Sequence, residues 1–470
     1  MNMKKTKNKK KNQRSFYFNE YNQNLITEKK SGVINISQDR IYSLFFIFLC
    51  LIFIFATKIF FISLKSYEPK SQFKNHSIYE TSRSDIVDRK GDYIARNIPV
   101  FHAAIKPSLV KDKKKFLIKL KLIDPSLDYT KIKKNLDKNS YFYIKKNLTL
   151  DEKNKFWSLG EKGLLFEMSE TRIYPHKNLF SHVLGQIDLD NNGISGVEKY
   201  FDKDLKQNNT QSIQLSLDTN LQYLIRGELL KSISVFKAKG AASLLMDVNT
   251  GEILSLISLP DYNLNTRKDI KDKSFTNKIT KGVFELGSIF KTFTIALALE
   301  DNSFSPNTLV KNIPDEIQCS KFTIKEHDEM PNTLSLKEIL IRSSNIGTIK
   351  VARSIGENKL KKFLENLNLL NTINFELHEV GKPLNFLWNK CKLETVSYGH
   401  GITTTPIQAA SAYASISNGG FIINPTLLKK KDSIYDKTRI VSSKTSKNIN
   451  SILREVVTNQ AGTASLAEVD

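Results

Sequence analysis

The sequence has few cysteines. Its 470 residues include only Cys50, Cys319 and Cys391, which is too few for a disulfide framework. Their spacing suits no metal site, so we predict neither a bound metal nor a cofactor. Cys50 lies in an apolar run. Cys319 and Cys391 are able to pair only if their part of the chain lies in an oxidising compartment.

Acidic residues are also scarce. The chain has 48 Asp and Glu against 71 Lys and Arg, a formal net charge of +23. Such an excess is found in proteins that bind nucleic acid or anionic surfaces. However, outside the N-terminus no basic cluster alternates with aromatic residues on which bases could stack. We therefore interpret the charge as a lysine-rich composition spread over solvated faces, and we predict no nucleic-acid partner.

One apolar run, residues 41–64, carries a single charge at Lys58. It exceeds the ~20 residues that a membrane-spanning helix needs. A cleaved signal peptide would have a shorter apolar core and a small-residue cleavage site, and neither feature is present. Because the tail at 1–40 is rich in lysine, the positive-inside rule predicts that this tail stays in the cytoplasm and that the remainder is exported.

The length predicts two or three domains, and no internal repeat is present. Residues 65–210 combine short strand-like and helix-like stretches without a long periodic helix, and 206–210 resembles a linker. In 211–470, Asp218 is predicted to begin a helix. Two apolar runs, 241–248 and 252–259, flank Asn-Thr-Gly and predict a β-hairpin. Helices and loops are expected after it.

A serine three residues before a lysine places both side chains on one face of a helix. A desolvated lysine amine can then accept the serine proton and leave a nucleophile. This spacing occurs at Ser71/Lys74, Ser108/Lys111, Ser234/Lys237 and Ser288/Lys291. Only Ser288 follows a glycine, Gly287, and opens an apolar helix, where a helix N-terminus stabilises developing negative charge.

A second motif, Ser343-Ser344-Asn345, lies between the predicted helices 336–341 and 346–355. Two other Ser-x-Asn triplets exist, at 305–307 and 446–448, but neither lies in a short loop between two apolar helices. Each motif alone is more often structural. Together, in this order and at this separation, they indicate a serine enzyme.

These two motifs resemble the first two active-site motifs of penicillin-binding proteins and serine β-lactamases. Flanking stretches are similar to class B penicillin-binding proteins in particular, namely residues 83–91, 172–175, 182–185, 193–202, 398–401 and 405–408. The resemblance runs from about residue 80 to the last residue. Within class B, residues 190–196 are more similar to the division enzymes (the FtsI type) than to the elongation enzymes.

The resemblance implies a fold of three parts: a single N-terminal transmembrane helix, a mixed α+β pedestal or dimerisation domain at 65–210, and an α/β transpeptidase domain at 211–470. The last would be built on an antiparallel sheet with helices on both faces. The resemblance also implies a bacterial inner-membrane protein with a cytoplasmic N-terminus and a periplasmic catalytic domain, active in cell division and cell shape. Its partners would be stem peptides, β-lactams, a glycan polymerase and divisome membrane proteins.

The resemblance implies roles for four residues. Ser288 would attack the penultimate D-alanine carbonyl of a stem peptide with Lys291 as the base, and β-lactams would acylate Ser288 as mimics of D-Ala-D-Ala. Ser343 would relay protons, Asn345 would bind the peptide backbone, and the Ser288 N–H would form half of the oxyanion hole. The other predicted substrate-binding residues are Gly287, Ser344, Tyr398 and Gly399.

The sequence departs from the family at its third motif, Lys-Thr-Gly, which is absent. Lys444-Thr445-Ser446 is rejected as a substitute because it precedes a predicted helix at 448–457 instead of lying on a strand. We expect the chain to stop roughly ten residues short of the motif. The hairpin at 241–259 would then have an unpaired inner edge and a poorly covered face. We accordingly expect the isolated chain to be unstable and inactive, and we favour a truncated gene record over a working short protein.

Other functions remain to be weighed. A class A glycosyltransferase would need a further domain, and a β-lactamase or β-lactam sensor would lack residues 65–210. A catalytically inactive division scaffold and an elongation-type transpeptidase stay open as alternatives.

Overall fold

The computed structural model describes residues 31–64, 83–188, 190–207, 211–266, 276–384, 388–430 and 438–469, and for 31–39 and 62–64 the backbone alone. The chain divides into two compact units, Met1–Ser77 and Ile78–Asp470. The first contains helix α1 (Ser31–Leu64). Within it, Arg40–Phe61 has a mean hydropathy of 2.7 and is long and apolar enough to cross a membrane. The helix predicted at 41–64 is confirmed, and it begins earlier, at Ser31.

The second unit opens with short helices and strands in alternation, as the sequence predicts. They are β1 (Ile86–Val87), β2 (Tyr93–Ile105), α2 (Lys113–Ile123), α3 (Tyr129–Asp137), β3 (Phe142–Leu148), α4 (Leu150–Trp157), β4 (Leu164–Ile173), α5 (Ser181–Leu184), α6 (Gly196–Tyr200), α7 (Asp202–Gln207) and β5 (Ile213–Gln214). The long strand β2 organises the sheet: it pairs antiparallel with β4, β3 and β1. Strand β1 also pairs in parallel with β5.

Helices α2, α3 and α4 pack around one core of this region. Each begins at a side-chain cap, formed by Asp112, Asp128 and Thr149 respectively. Such caps satisfy backbone N–H groups that a helix start leaves without partners. The apolar side chains of the helices pack with strand residues into a buried cluster that includes Phe116, Leu120, Ile132, Leu136, Phe156 and Ala103.

A buried cluster of charged residues lies between strands β1 and β4 and the short helices that follow them. The Glu198 carboxylate accepts hydrogen bonds from Arg83 Nε at 2.6 Å and Arg172 Nε at 2.8 Å, and Arg83 Nη1 also contacts Asp202 at 2.6 Å. The Glu198 and Arg83 side chains are fully buried. Burial alone would lower the pKa of Arg83, but the charges of Glu198 and Asp202 raise that pKa above its usual value. Glu198 is therefore the shared counter-ion of two buried cations.

Replacing Glu198 by glutamine is expected to destabilise the protein by about 3–5 kcal/mol, because it leaves buried arginine charges uncompensated. Urea unfolding followed by the fluorescence of Trp157 and Trp388 would measure the loss. The matched control is Glu228→Gln, which removes an exposed pair with Lys231 (2.7 Å) and is expected to leave the unfolding midpoint almost unchanged. Equal midpoints for the two variants would contradict the structural role of Glu198.

Helix α8 (Thr219–Phe236) is followed by an antiparallel hairpin, β6 (Ala241–Met246) and β7 (Ile253–Leu259). Both elements confirm the sequence predictions, and the Asp218 side chain caps the helix by accepting from Asn220 N and Leu221 N. Strand β7 is mostly buried, whereas β6 has no fully buried residue. Large apolar side chains of α8 are also exposed, including Tyr223, Leu224, Val235 and Phe236. The expectation of a poorly covered hairpin therefore holds for β6 and not for β7.

The remaining elements are mostly helical. They are α9 (Lys291–Glu300), β8 (Leu309–Val310), β9 (Glu316–Cys319), β10 (Phe322–Lys325), β11 (Leu334–Ser335), α10 (Leu336–Ile341), α11 (Asn345–Ile355), α12 (Glu357–Asn366), α13 (Lys392–Ser397), α14 (Pro406–Ser417) and α15 (Ser443–Thr458). Helix α9 is the centre of their core, since nine of its residues are buried, from Lys291 to Leu299. A disulfide joins Cys319 to Cys391, the pairing that the sequence left open.

Helix α15 contains the triplet that was considered as a substitute for the missing Lys-Thr-Gly motif. It begins after Ser442, whose side chain accepts a hydrogen bond from Thr445 N, and it includes the helix predicted at 448–457. The triplet Lys444-Thr445-Ser446 consequently lies in the first turn of a helix, where Thr445 and Ser446 are buried. Its rejection as a strand motif agrees with this placement.

Candidate active site

The backbone around Gly287 presents Ser288 outward. Gly287 has a φ of +61°, in the left-handed region that favours glycine, and it begins the 3₁₀ turn Gly287–Phe290 that runs into α9. A Cβ atom at Gly399 would lie 1.9 Å from the Gly287 carbonyl oxygen, so only glycine allows these two segments to meet. Ser288 is exposed at this turn, although the helix that follows is buried.

Lys291 lies one turn after Ser288 and is only 1% exposed. Its Nζ donates to the Ser343 carbonyl oxygen at 2.5 Å and to the Ser343 Oγ at 2.8 Å. Burial lowers the pKa of Lys291 from 10.5 to about 8, and the charge of Glu326 opposes that shift. An amine with this pKa is partly neutral near neutral pH, as a general base requires. Among the described residues, no hydrogen bond joins Lys291 to Ser288 itself.

The loop between α10 and α11 holds Ser343 in an uncommon conformation. Its φ is +58°, which costs free energy for a residue other than glycine and persists only where the surroundings hold it. Asn345 follows this loop as the first residue of α11, and its side-chain Nδ2 donates to the Lys325 carbonyl oxygen at 3.0 Å. Its Oδ1 accepts no hydrogen bond from the part of the chain that the structure describes, so this acceptor is free for a ligand.

These residues surround one cavity of about 350 Å³. Its lining includes six of the eight predicted site residues: Gly287, Ser288, Lys291, Ser343, Asn345 and Tyr398. Lys291 of the first motif and Ser343 of the second are 52 residues apart in the sequence. The folded chain brings both motifs to the same cavity. The cavity is also lined by residues that the sequence analysis did not select, namely His327, Asp328, Arg342, His400 and Thr463.

Two predicted substrate-binding residues do not line the cavity. Ser344 is fully buried, and its Oγ accepts from Gly347 N at 2.9 Å and donates to Glu326 at 2.5 Å. Because its hydroxyl is committed in this way, Ser344 caps α11 instead of facing a ligand. Gly399 lies behind the Ser288 turn, where its lack of a side chain permits the close approach to Gly287. Both residues therefore support the site from outside the cavity.

Glu326 is the main residue of the site that sequence reasoning missed. Besides Ser344, its carboxylate accepts from the backbone N–H groups of Asn345 (2.7 Å) and Ile346 (2.9 Å). A carboxylate at the N-terminus of a helix is favoured by the helix dipole. Glu326 is 18 residues from Ser344 and belongs to no recognisable motif, so the sequence carries no signal for this contact.

Tyr398 and His400 also line the cavity. Their rings stack with centroids 6.1 Å apart, and His400 Nδ1 lies 3.3 Å from a carboxylate oxygen of Glu285. Burial, and secondarily the charge of Glu285, raises the pKa of Tyr398, so this phenol stays neutral at physiological pH. It can accordingly donate a hydrogen bond to a ligand.

Two family models match the chain. One, described as the penicillin binding protein transpeptidase domain, matches residues 241–470, and the other, described as the penicillin-binding protein dimerisation domain, matches residues 78–220. The matches lie on the regions that hold the cavity and the pedestal strands.

Several named proteins are similar to the chain. The probable peptidoglycan D,D-transpeptidase FtsI of Caulobacter vibrioides is 30% identical over 396 residues, which cover 83% of this chain and 67% of that protein. The peptidoglycan D,D-transpeptidase FtsI of Escherichia coli K12 is 28% identical over 75% of this chain and 65% of its own length. FtsI of Buchnera aphidicola subsp. Schizaphis graminum is 26% identical over 92% and 82%. The chain therefore spans about two thirds of the length of the first two relatives.

Proposed function

This chain belongs to the penicillin-binding protein transpeptidase family, as a class B member of the FtsI type, and we propose that it is a peptidoglycan D,D-transpeptidase that cross-links the septal wall through an acyl-enzyme on Ser288. The observation that carries the proposal is the buried Lys291 amine, whose pKa is lowered to about 8. It contacts Ser343 in the cavity whose mouth holds Ser288.

Acylation begins with the neutral Lys291 amine, which takes the proton of the Ser288 hydroxyl. The Ser288 Oγ attacks the penultimate D-alanine carbonyl, and an Oγ–C bond forms. The C–N bond to the terminal D-alanine then breaks, and the leaving amine takes a proton from the Ser343 hydroxyl, which is restored from Lys291. The contact of 2.8 Å between Lys291 Nζ and Ser343 Oγ supports this relay. An amine from a neighbouring stem peptide finally attacks the ester carbonyl: a C–N bond forms, the bond to the Ser288 Oγ breaks, and the proton that the amine loses to Lys291 returns to the Ser288 Oγ.

Two further groups would hold the reacting peptide. The unoccupied Oδ1 acceptor of Asn345 would receive a backbone N–H of the stem peptide. The Ser288 N–H would donate to the developing oxyanion, and such a donor contributes on the order of 3 kcal/mol in comparable hydrolases. Both roles need groups that are fixed before the substrate arrives. The hydrogen bonds from Asn345 to Glu326 and Lys325 hold the first group, and the 3₁₀ turn Gly287–Phe290 holds the second.

Location and partners follow from the same proposal. We place the basic tail in the cytoplasm and the body after α1 outside the inner membrane, in the periplasm. The Cys319–Cys391 disulfide supports this orientation, because disulfides persist in oxidising compartments. A glycan polymerase and divisome membrane proteins are the proposed partners. An inactive scaffold is not favoured, because a scaffold has no need of a buried amine of lowered pKa beside an exposed serine.

Covalent labelling by a fluorescent penicillin tests the proposal, with the full-length protein purified in detergent. We expect one adduct per chain and slower labelling in the presence of a D-Ala-D-Ala peptide. The rate of labelling is also expected to rise about tenfold between pH 7 and pH 9, since the neutral fraction of a base with a pKa of about 8 rises from roughly a tenth to roughly nine tenths.

The formation of the adduct and the pH dependence of its rate test different parts of the proposal. A protein that forms no penicillin adduct at any pH would contradict the transpeptidase and support the scaffold. If the adduct forms at a rate that does not depend on pH, the assignment as a transpeptidase stands, but Lys291 is not the base.

A further inference from the structure

The Cys319–Cys391 disulfide lies close to the cavity, since Cys391 packs against the same small buried cluster as Tyr398, a residue of the lining. Cys319 ends strand β9, and Cys391 precedes helix α13. The Cα atoms are 5.7 Å apart, and the bond joins residues 72 positions apart in the sequence. The loop that it closes contains the whole segment 343–345. Both cysteines are therefore placed to affect the site without lining it.

The hairpin that carries Cys319 buries few of its own side chains. Strands β9 and β10 pair antiparallel, from Glu316↔Lys325 to Cys319↔Phe322. Only Cys319 and Ile324 of these strands are buried, whereas the Phe322 side chain is 75% exposed. An isolated two-stranded hairpin with so little apolar burial is marginally stable in water. The disulfide is thus a principal constraint on the position of this hairpin.

The hairpin leads directly into the contacts that fix the 343–345 loop. Its last residue, Lys325, accepts the hydrogen bond from Asn345 Nδ2, and the next residue, Glu326, binds Ser344 Oγ and two backbone N–H groups. A displacement of β10 would accordingly move the acceptors that hold Asn345. It would also move the loop whose Ser343 contacts the Lys291 amine.

The other end of the disulfide leads to Tyr398, which lines the cavity. Cys391 has a φ of +74° and begins the turn into α13, which ends just before Tyr398. Cys319, Ile324 and Ile349 form a small buried cluster against which Cys391 and Tyr398 pack. One covalent bond therefore connects the hairpin that leads into Glu326 with the start of the helix that leads to Tyr398.

We propose that the Cys319–Cys391 disulfide positions the 343–345 loop through Glu326, so that acylation of Ser288 is fast only when the two cysteines are oxidised. The inference rests on the proposed function. Cys319 and Cys391 are positioning residues, since neither lines the cavity. A dithiol reductant would convert the disulfide into two thiols as it becomes a disulfide itself, and reoxidation would restore the bond.

The test compares acylation rates at saturating fluorescent penicillin, with the full chain in detergent. The double variant Cys319→Ser/Cys391→Ser is expected to label at least about tenfold more slowly than the parent, because small misplacements of catalytic groups cost large factors in rate. Cys50→Ser, which keeps the disulfide, is the matched control and is expected to label normally. A mild dithiol is expected to slow the parent and the Cys50→Ser variant, and oxidised glutathione is expected to restore both.

A second comparison separates positioning from general destabilisation. Glu326→Gln is expected to slow acylation, and adding Glu326→Gln to the cysteine double variant is expected to cost little more, because both changes release the same loop. If the rate losses of Glu326→Gln and of the cysteine double variant multiply fully when combined, the disulfide does not act through the 343–345 loop, and the inference is overturned.

The remaining outcomes are also decisive. If the parent labels normally and the rate is insensitive both to the serine substitutions and to the dithiol, the inference fails and the proposed function stands. If the parent does not label at all, the proposed function itself fails. Should the serine double variant not fold, the reversible dithiol experiment on the folded parent decides alone.

Discussion

The Ser288→Ala variant is expected to form no covalent adduct with penicillin. Ser288 is the exposed hydroxyl at the mouth of the cavity, and the glycine-induced turn before α9 directs it there. Alanine removes the Oγ that forms the ester but keeps the helix start, because the turn depends on Gly287 and on backbone contacts. Gel fluorescence after incubation with a fluorescent penicillin would measure the loss, and the unfolding midpoint is expected to match that of the parent.

The matched control for this variant is Ser234→Ala. Ser234 has the same spacing to Lys237 that Ser288 has to Lys291, but it lies exposed on α8 and does not line the cavity. We expect labelling of this control at the rate of the parent. Labelling that survives in Ser288→Ala would contradict the identity of the nucleophile.

The Lys291→Ala variant is expected to acylate about 10²–10⁴-fold more slowly, the usual contribution of a general base, so that labelling is absent on the time scale of the parent. Two effects add in this variant. The base is lost, and Ser343 loses the amine that contacts both its Oγ and its carbonyl oxygen. Time courses of labelling would give the ratio of rates.

The lysines of two other serine–lysine pairs with the same spacing provide the controls. Lys237→Ala removes an exposed side chain at the end of α8, and Lys74→Ala changes a residue outside the described part of the chain. Both variants are expected to label normally. An unchanged rate in Lys291→Ala would show that another group accepts the Ser288 proton.

Local signals were sufficient to predict much of the fold. Asp218 marks a helix start because a carboxylate there accepts backbone N–H groups, and it caps α8. The apolar runs around Asn249-Thr250-Gly251 predicted the β6–β7 hairpin. A preceding glycine separated Ser288 from three other serines with the same spacing. Each of these signals lies within a few residues of the feature that it predicts.

Contacts between distant segments were not predictable in this way. Glu326 contacts the 343–345 loop across 18 residues, and Arg83 contacts Glu198 across 115. The placement of Ser344 and Gly399 depends on such packing. From the motif alone, Ser344 and Asn345 are equally able to face a ligand. Only the folded chain shows that Glu326 holds the Ser344 hydroxyl and that Asn345 lines the cavity.

The chemistry at Ser288 is tested most directly by locating the penicillin adduct on the parent protein. Trypsin cleavage after Lys281 and Lys291 would release a peptide, residues 282–291, that contains Ser288 as its only hydroxyl side chain. Mass spectrometry is predicted to find this peptide heavier by the mass of the intact penicillin, with fragment ions that place the addition on Ser288. An adduct on any other peptide, or no adduct on a folded protein, would contradict the account.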